Sequence, residues 1–176
     1  MGTALPRGRP PVSYARRVSP CESIFAVSSD RPPISFEARL PVDMARIRAV
    51  RTWVESLLAC EGWSEEDTAD LGLVATEILQ NAIEHGSAND GRETVTLACT
   101  VAEPGVAVLE IRDPGTGKGV ASLLGRDVTQ SPPIDAARGR GLFLVHRMAE
   151  SLERSRSETG GSLVRVRYRA TDPLKP

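Results

Sequence analysis

Two runs of alternating apolar and polar residues, "ETVTLACTV" and "VAVLEIR", are joined through Glu103-Pro104-Gly105. Alternation with a period of two marks half-buried strands, and the proline-glycine pair between them favours a tight reversal. A hairpin in mid-chain needs antiparallel neighbours. Helical patterns stand on both sides of it, so the chain cannot be a doubly wound parallel sheet built from strand-helix-strand units. The predicted class is α+β: a two-layer sandwich in which three helices cover one face of a mixed, mostly antiparallel sheet.

The rest of the chain fits that frame. "ISFEARL" alternates Ile34, Phe36, Ala38 and Leu40 against polar neighbours, as a strand does. After Pro41 the period lengthens, and Met44, Ile47, Val50, Val54, Leu57 and Leu58 fall on one face of a helix that Gly62 ends. A second helix is predicted from near Glu65, with Leu71, Val74, Ile78 and Ala82 inward and Gly86 as its closing glycine. "GLFLVHRMAESL" is predicted as a third helix with Leu142, Val145, Ala149 and Leu152 on its apolar side. "SLVRVRYR" reads as a last strand, with Val164, Val166 and Tyr168 opposite Arg165, Arg167 and Arg169. Residues 118 to 138, with paired prolines at 132 and 133, carry no regular pattern.

Composition bounds the function. At 176 residues, with 40% hydrophobic and 26% charged residues, the chain can bury a core without disulfides or metals. A net charge of -1 gives no pull toward nucleic acid or membrane, and neither is an expected partner. Cys21, Cys60 and Cys99 are odd in number and scattered, which suggests buried small side chains in a cytoplasmic protein. The first 33 residues hold six prolines and five arginines against two acids. They read as a flexible tail without a signal sequence. The expected organisation is a tail over 1–33, one domain over 34–170 and a short tail over 171–176.

Within "VATEILQNAIEHG", Glu77, Asn81 and His85 are four residues apart and form one stripe beside an apolar one. A carboxylate at the edge of a core is partly desolvated and suits a proton acceptor; an amide oxygen beside it suits a hard cation such as Mg²⁺. On this helix alone, a solvated flank whose polar groups cap their neighbours is the better reading. "Asp113-Pro114-Gly115-Thr116-Gly117" follows a strand, where a carboxylate can accept from an exocyclic amine and glycines admit a flat ring. "Arg138-Gly139-Arg140-Gly141-Leu142" opens a helix, whose free N–H groups and dipole suit phosphate. Neither is a Walker A loop or a dinucleotide fingerprint. Trp53 and Trp63 are expected to pack, and the arginines of the last strand to meet solvent.

Together these segments, a helical ExxxN box, DxGxG after a strand and GxGL opening a helix, resemble the GHKL (Bergerat-fold) ATPase and kinase superfamily. The compact arrangement is similar to the anti-sigma-factor serine kinases of the RsbW and SpoIIAB type, from about Ile34 to Ala170. The resemblance implies ATP and Mg²⁺ as cofactors. It makes Glu77 the general base, Asn81 the metal ligand and Asp113 the acceptor of the adenine amine. Gly115 and Gly117 would shape the adenine wall, and Gly139, Gly141 and Leu142 would meet the phosphates at the helix entry. Arg138 and Arg140 would face the γ-phosphate, and 118–138 would form the lid. It further implies a sigma factor and a STAS-domain antagonist as partners, and a homodimer.

Two departures stand out. Lys118 follows DxGxG where relatives often carry an apolar residue. Gly160-Gly161-Ser162 opens the last strand where many carry threonine, which makes the Ser162 hydroxyl the candidate substitute. The functional expectation is an ATP-dependent protein serine/threonine kinase that sequesters a sigma factor and phosphorylates its antagonist. The alternatives are a non-catalytic ATP-binding regulatory module and a switch kinase with a non-sigma partner.

Overall fold

The computed structural model describes residues 33–87, 92–116, 125, 127–130, 140–158 and 160–171. The predicted amino-terminal tail, most of the 118–138 segment, and Gly117, Arg138 and Gly139 lie outside them. Chain order is β1 (Ile34–Pro41), a 3₁₀ turn (Met44–Arg46), α1 (Ile47–Cys60), α2 (Glu65–Gly86), β2 (Thr94–Glu103), β3 (Val106–Arg112), α3 (Arg140–Met148), β4 (Ser151–Arg156) and β5 (Ser162–Arg169). The strands form one sheet in the order β1-β2-β3-β5-β4. Every pair is antiparallel, so the expected parallel component is absent among the described strands.

The hairpin turns as its residues demand. Gly105 holds φ +75°, a conformation that a Cβ disfavours, and a register shift between Val101 and Glu103 accommodates the extra residue. Alternation then sends Val95, Leu97, Cys99, Leu109, Ile111, Val164, Val166 and Tyr168 to one face, where α1 and α2 cover them. Val50, Val54 and Leu58 of α1 and Leu71, Val74, Ile78 and Leu79 of α2 complete that core. The opposite face carries charge instead. Arg165 grips Glu110 through Nε at 2.7 Å and Nη2 at 2.5 Å, Arg112 meets the same carboxylate at 2.8 Å, and Arg167 bridges Glu103 at 2.5 Å and Glu150 at 2.9 Å. Arg167 is therefore largely covered by its carboxylate partners, while Arg165 and Arg169 are paired and still 41% and 54% exposed, so they meet solvent as expected. Partly exposed pairs of this kind contribute at most about 1 kcal/mol each.

Four local expectations change. α1 starts at Ile47, because Asp43 accepts from Ala45 N–H at 2.9 Å and caps a 3₁₀ turn that leaves Met44 exposed. Helix α3 stops at Met148, and Ser151–Arg156, expected to continue it in part, is strand β4. The changeover occurs at Glu150, whose N–H bonds Arg167 O at 2.9 Å. Pairing with β5 overrides a helical period that Leu152 fits only by coincidence. Trp63 packs on Tyr168 with centroids 5.9 Å apart, but Trp53 is exposed. Cys60 is exposed too, whereas burial pushes the Cys99 thiol up to about 12.

Helix α2 is anchored at its start by a buried acid. Ser64 caps the helix by accepting from Asp67 N–H at 3.0 Å and donates its hydroxyl to Asp67 at 2.8 Å. Asp67 Oδ1 also accepts from Tyr168 OH at 3.0 Å and from Thr171 N–H at 2.8 Å, which ties α2 to the end of β5. Burial pushes the Asp67 carboxyl up; bonds from the Thr171 N–H, Ser64, the Thr171 hydroxyl and Tyr168 outweigh it and hold the carboxyl below its ordinary value. A depressed folded pKa stabilises the fold above the unfolded value, about 3.9, and that stabilisation is lost as pH falls through the folded one. Asp67→Ala is expected to cost about 3 kcal/mol at neutral pH. In urea titrations the deficit relative to the unsubstituted chain should shrink as pH drops below about 4.

Candidate functional site

Helix α2 organises the site. Its inner side is filled by Ile78, Leu79, Ala82 and Ile83, which leaves Glu77 and Asn81 half-buried along the rim. Asn81 donates its amide N–H to the Glu77 main-chain carbonyl at 2.7 Å, which fixes the side chain and leaves its oxygen as the outward acceptor. Burial, followed by the nearby charge of Glu84, raises the Glu77 pKa above its ordinary value. A carboxylate so placed accepts a proton more readily at mildly acid pH than a solvated one. His85 lies half-buried one residue before the helix ends.

The start of α3 closes on Glu77. A Cβ built on Gly141 would overlap Glu77 Oε2, so the first turn of α3 lies directly against this carboxylate. Arg140 beside it is exposed. Leu142 differs from expectation: its side chain is 1% exposed and packs with Val128 and Leu152, so only its main chain is available to a ligand.

At the other end of α2 the glycine loop closes on Gly86. A Cβ on Gly86 would collide with Asp113, and Gly115 N–H bonds the Gly86 carbonyl at 3.0 Å. The sequence assigns Gly86 to helix termination. Its φ is not among the positive ones, so the glycine is required by close approach and not by a left-handed cap. Asp113 is 3% exposed and fully engaged on one oxygen: Oδ1 accepts from Gly115 N–H at 2.9 Å and Ser162 N–H at 3.0 Å. Its Oδ2 accepts from the Ser162 hydroxyl. Gly115, at φ +79°, would place a Cβ 2.6 Å from the Gly161 backbone. The hydroxyl expected from Ser162 is therefore present, on the carboxylate itself.

Sequence reasoning missed two supports of this loop. Gly161 leaves room for Asp113, since a Cβ there would lie 2.8 Å from its Oδ1. Thr116 donates to Glu93, just before β2, which pins the loop from the other side. Paired glycines before a strand were a usable signal for the first. Nothing in the spacing of residues 93 and 116 announces the second.

The site residues thus sit on one ruler. At 1.5 Å per residue, about 14 Å of helix separates Glu77, under Gly141, from Gly86, under Asp113, with Asn81 between. Nine residues make about two and a half turns, so Gly86 and Asp113 meet the inner side of α2 while Glu77 and Asn81 stand on its rim. Asn81 and Glu77 offer hard oxygens for a cation that keeps most of its ligands from phosphate and water, which fits Mg²⁺. A separate shallow groove, lined by Ile47, Arg48, Arg51, Thr52, Glu55 and Thr76, lies against α1 and includes none of these side chains.

A helix carrying a carboxylate and an amide, a buried aspartate at a strand end, and a second helix entered through glycine define an ATP-binding architecture of the GHKL type. The histidine kinase-like ATPase domain family matches residues 40–168, and the chain belongs to that family. Its fold is similar to the RsbU and RsbW domains of Rv1364c from Mycobacterium tuberculosis. There the TM-score is 0.57 and identity 21%, over 82% of this chain and 34% of that one. It is also similar to the SiaB-SiaC complex from Pseudomonas aeruginosa, with TM-score 0.57 and 18% identity over 76% of this chain and 87% of that one. The chain thus spans about a third of the first of these structures. No helix among the described residues is long and apolar enough to cross a membrane.

Gly86→Ala should displace Asp113 and lower ATP affinity at least tenfold, about 1.4 kcal/mol, in calorimetric titration.

Proposed function

We propose that this chain is a cytoplasmic, Mg²⁺- and ATP-dependent protein serine kinase of the anti-sigma type. The observation that carries the reading is the pair of close approaches on α2, Gly141 on Glu77 and Gly86 on Asp113. They bring the α3 entry to a base on the rim of α2 and an amine acceptor to the inner side of its last turn, with the Asn81 amide between the two levels. Family membership supports ATP use, and the similar structures include an RsbW domain and a two-protein complex.

In this reading Asp113 accepts the exocyclic amine of adenine, with Ser162 and Gly115 holding the carboxylate still. The N–H groups at the start of α3, around Gly141, meet the phosphates, assisted by the helix dipole. Gly117, Gly139 and Arg138 belong to the same pocket by sequence, and Arg140 stands at its rim, where a cation would neutralise the γ-phosphate. Magnesium, when bound, supplies positive charge to the phosphates, and Asn81 is its protein ligand. Glu77 takes the proton of a partner serine hydroxyl. That oxygen then bonds the γ-phosphorus as the bond to ADP breaks. The partner is a STAS-domain antagonist, whose phosphorylation leaves a sigma factor bound to a homodimer of this chain.

The test is transfer of γ-³²P from ATP-Mg²⁺ to a STAS-domain protein encoded beside this chain. Glu77→Ala should remove transfer by a factor of 10² or more while ATP still binds. Asn81→Ala should remove Mg²⁺-dependent ATP binding with the circular dichroism spectrum unchanged. Transfer that survives Glu77→Ala defeats the general-base role. ATP binding without transfer in the unsubstituted chain leaves a regulatory module instead. Because the Glu77 pKa is raised, transfer should fall on the acid side above the pH expected of a solvated glutamate. Glu84→Gln should move that limb to lower pH.

A further inference from the structure

β1 is an outer strand of the sheet. The bond from Val42 N–H to Glu93 O, 3.0 Å, continues the β1–β2 ladder one residue past the Pro41–Thr94 pair. Main-chain groups in an antiparallel ladder point alternately toward the partner strand and away from it. By that parity Ser35, Glu37 and Arg39 turn their N–H and C=O groups to the free edge. An apolar flank of α1 overhangs this edge. α2 packs on β2, β3 and β5 and α3 on β4, so α1 covers the β1 side. Glu55 of α1 abuts Gly72, and Arg51 lines a groove with Thr76, so that flank of α1 faces α2. Trp53, Leu57 and Cys60 are spaced as one helical stripe on the opposite flank, above the β1 edge. Trp53 is 48% and Ile34 42% exposed, and Leu57 and Phe36 are half-buried on the same side.

An open edge beneath an apolar overhang fits one more strand, and the chain carries a candidate close by. Before Pro33, the first described residue, the longest apolar run is Ile24-Phe25-Ala26-Val27. Residues 28–33 alone separate it from Ile34. Six residues reach up to about 20 Å, against roughly 5 Å between neighbouring strands, so the run is tethered within reach of the edge. Pro32 and Pro33 cannot donate to a ladder and suit the reversal. We propose that residues 21–27 dock antiparallel on β1 of the same chain, cover Trp53 and close the free edge. This contact is independent of the phosphoryl-transfer reading.

Side chains select the register. With Val27 opposite Ile34, Phe25 meets Phe36 on the helix side, where Trp53 overhangs, and Cys21 meets Leu40. On the outer face Glu22 then opposes Arg39, which is 77% exposed and meets Glu37 only at 3.9 Å. Ala26, Ile24 and Glu22 exchange main-chain bonds with Ser35, Glu37 and Arg39. The next such position sets Pro20 against Pro41; neither can donate, and the ladder ends there. A slip of one residue turns Phe25 and Val27 to the outer face. A slip of two sets Glu22 against Glu37 in one direction and loses the Arg39 pair in the other. Closing the edge from within the chain removes an eight-residue template for further strands.

Amide hydrogen exchange on the full chain tests this. Ser35, Glu37 and Arg39 should be protected roughly tenfold or more, equally at every protein concentration. Phe25→Asp should abolish that protection, and Val12→Asp, the same change outside the docking run, should leave it intact. Glu22→Arg should weaken it, and Arg39→Glu in the same chain should restore it. Acrylamide quenching gives a second readout, because Trp63, the other tryptophan, is buried. Trp53 should be shielded in the unsubstituted chain and quenched more strongly in Phe25→Asp, with circular dichroism showing that each variant is folded. Edge amides that exchange fast in the unsubstituted chain overturn the proposal. Protection that falls on dilution overturns it too, since another molecule would then be covering the edge. So does protection or quenching indifferent to Phe25→Asp, or a charge reversal that Arg39→Glu fails to rescue.

Discussion

A single buried carboxylate holds this fold's distant parts in register. Asp113 lies 49 residues before Ser162 in the chain, yet takes both its N–H and its hydroxyl. Burying an ionised carboxylate without partners costs several kcal/mol, so the chain must bring donors to it or leave it outside. It brings donors from β5 and from its own loop, and removes every Cβ that would keep them away. Gly86, Gly115 and Gly161 are each empty where Asp113 or its loop needs room. The same interaction that completes the sheet therefore fixes a buried carboxylate beside the last turn of α2.

Helix α2 converts that fixed point into a site. Its amino end is held by Asp67 against Tyr168 and Thr171, and its carboxyl end by Gly115 and Asp113. A helix clamped at both ends cannot slide, so Glu77 and Asn81 inherit defined positions relative to Asp113. Preorganisation of this kind matters more than the identity of any one residue, because positioned dipoles need not rearrange when charge develops. The raised pKa of Glu77 follows from the same packing: α3 comes close enough, through Gly141, to strip water from one carboxylate oxygen.

Much of this was legible in the residues. Period-two and helical patterns located β1, α1, α2, the hairpin and β5, because in each the apolar side faces one continuous core. Spacing and residue type singled out Glu77, Asn81, Asp113, Gly115 and Gly141, and the family resemblance supplied the roles expected of them. The failures share a cause. β4 carries one apolar side chain in six residues, so pairing with β5 decides its state and no local pattern can show it. Gly86 looks like a helix stop, but is required by a contact with a residue 27 positions away, seen in the collision of its Cβ with Asp113. Trp53 and Cys60 fit packing by composition and are exposed by geometry. Helical periodicity names the side that faces inward; it does not say how far around the helix the cover extends.

The sheet's uncovered face limits where a partner can bind. Arg165 and Arg167, which read as a basic stripe, are already committed to Glu110, Glu153, Glu103 and Glu150. An incoming acidic surface would have to displace bonds of 2.5 to 2.9 Å made within the chain, with little net gain. The sheet's edges are different in kind. β4 is short, and its Glu153 is drawn to Arg165, whereas β1 keeps eight residues of main chain and a weakly paired Glu37 and Arg39. Hydrogen-bonding groups at an edge are unsatisfied by construction, and charges held at 3.9 Å in water are easily exchanged for better partners. The sheet's outer face is thus taken up by its own ion pairs, whereas Glu77 and Asn81 lie on the rim of the opposite, helical side.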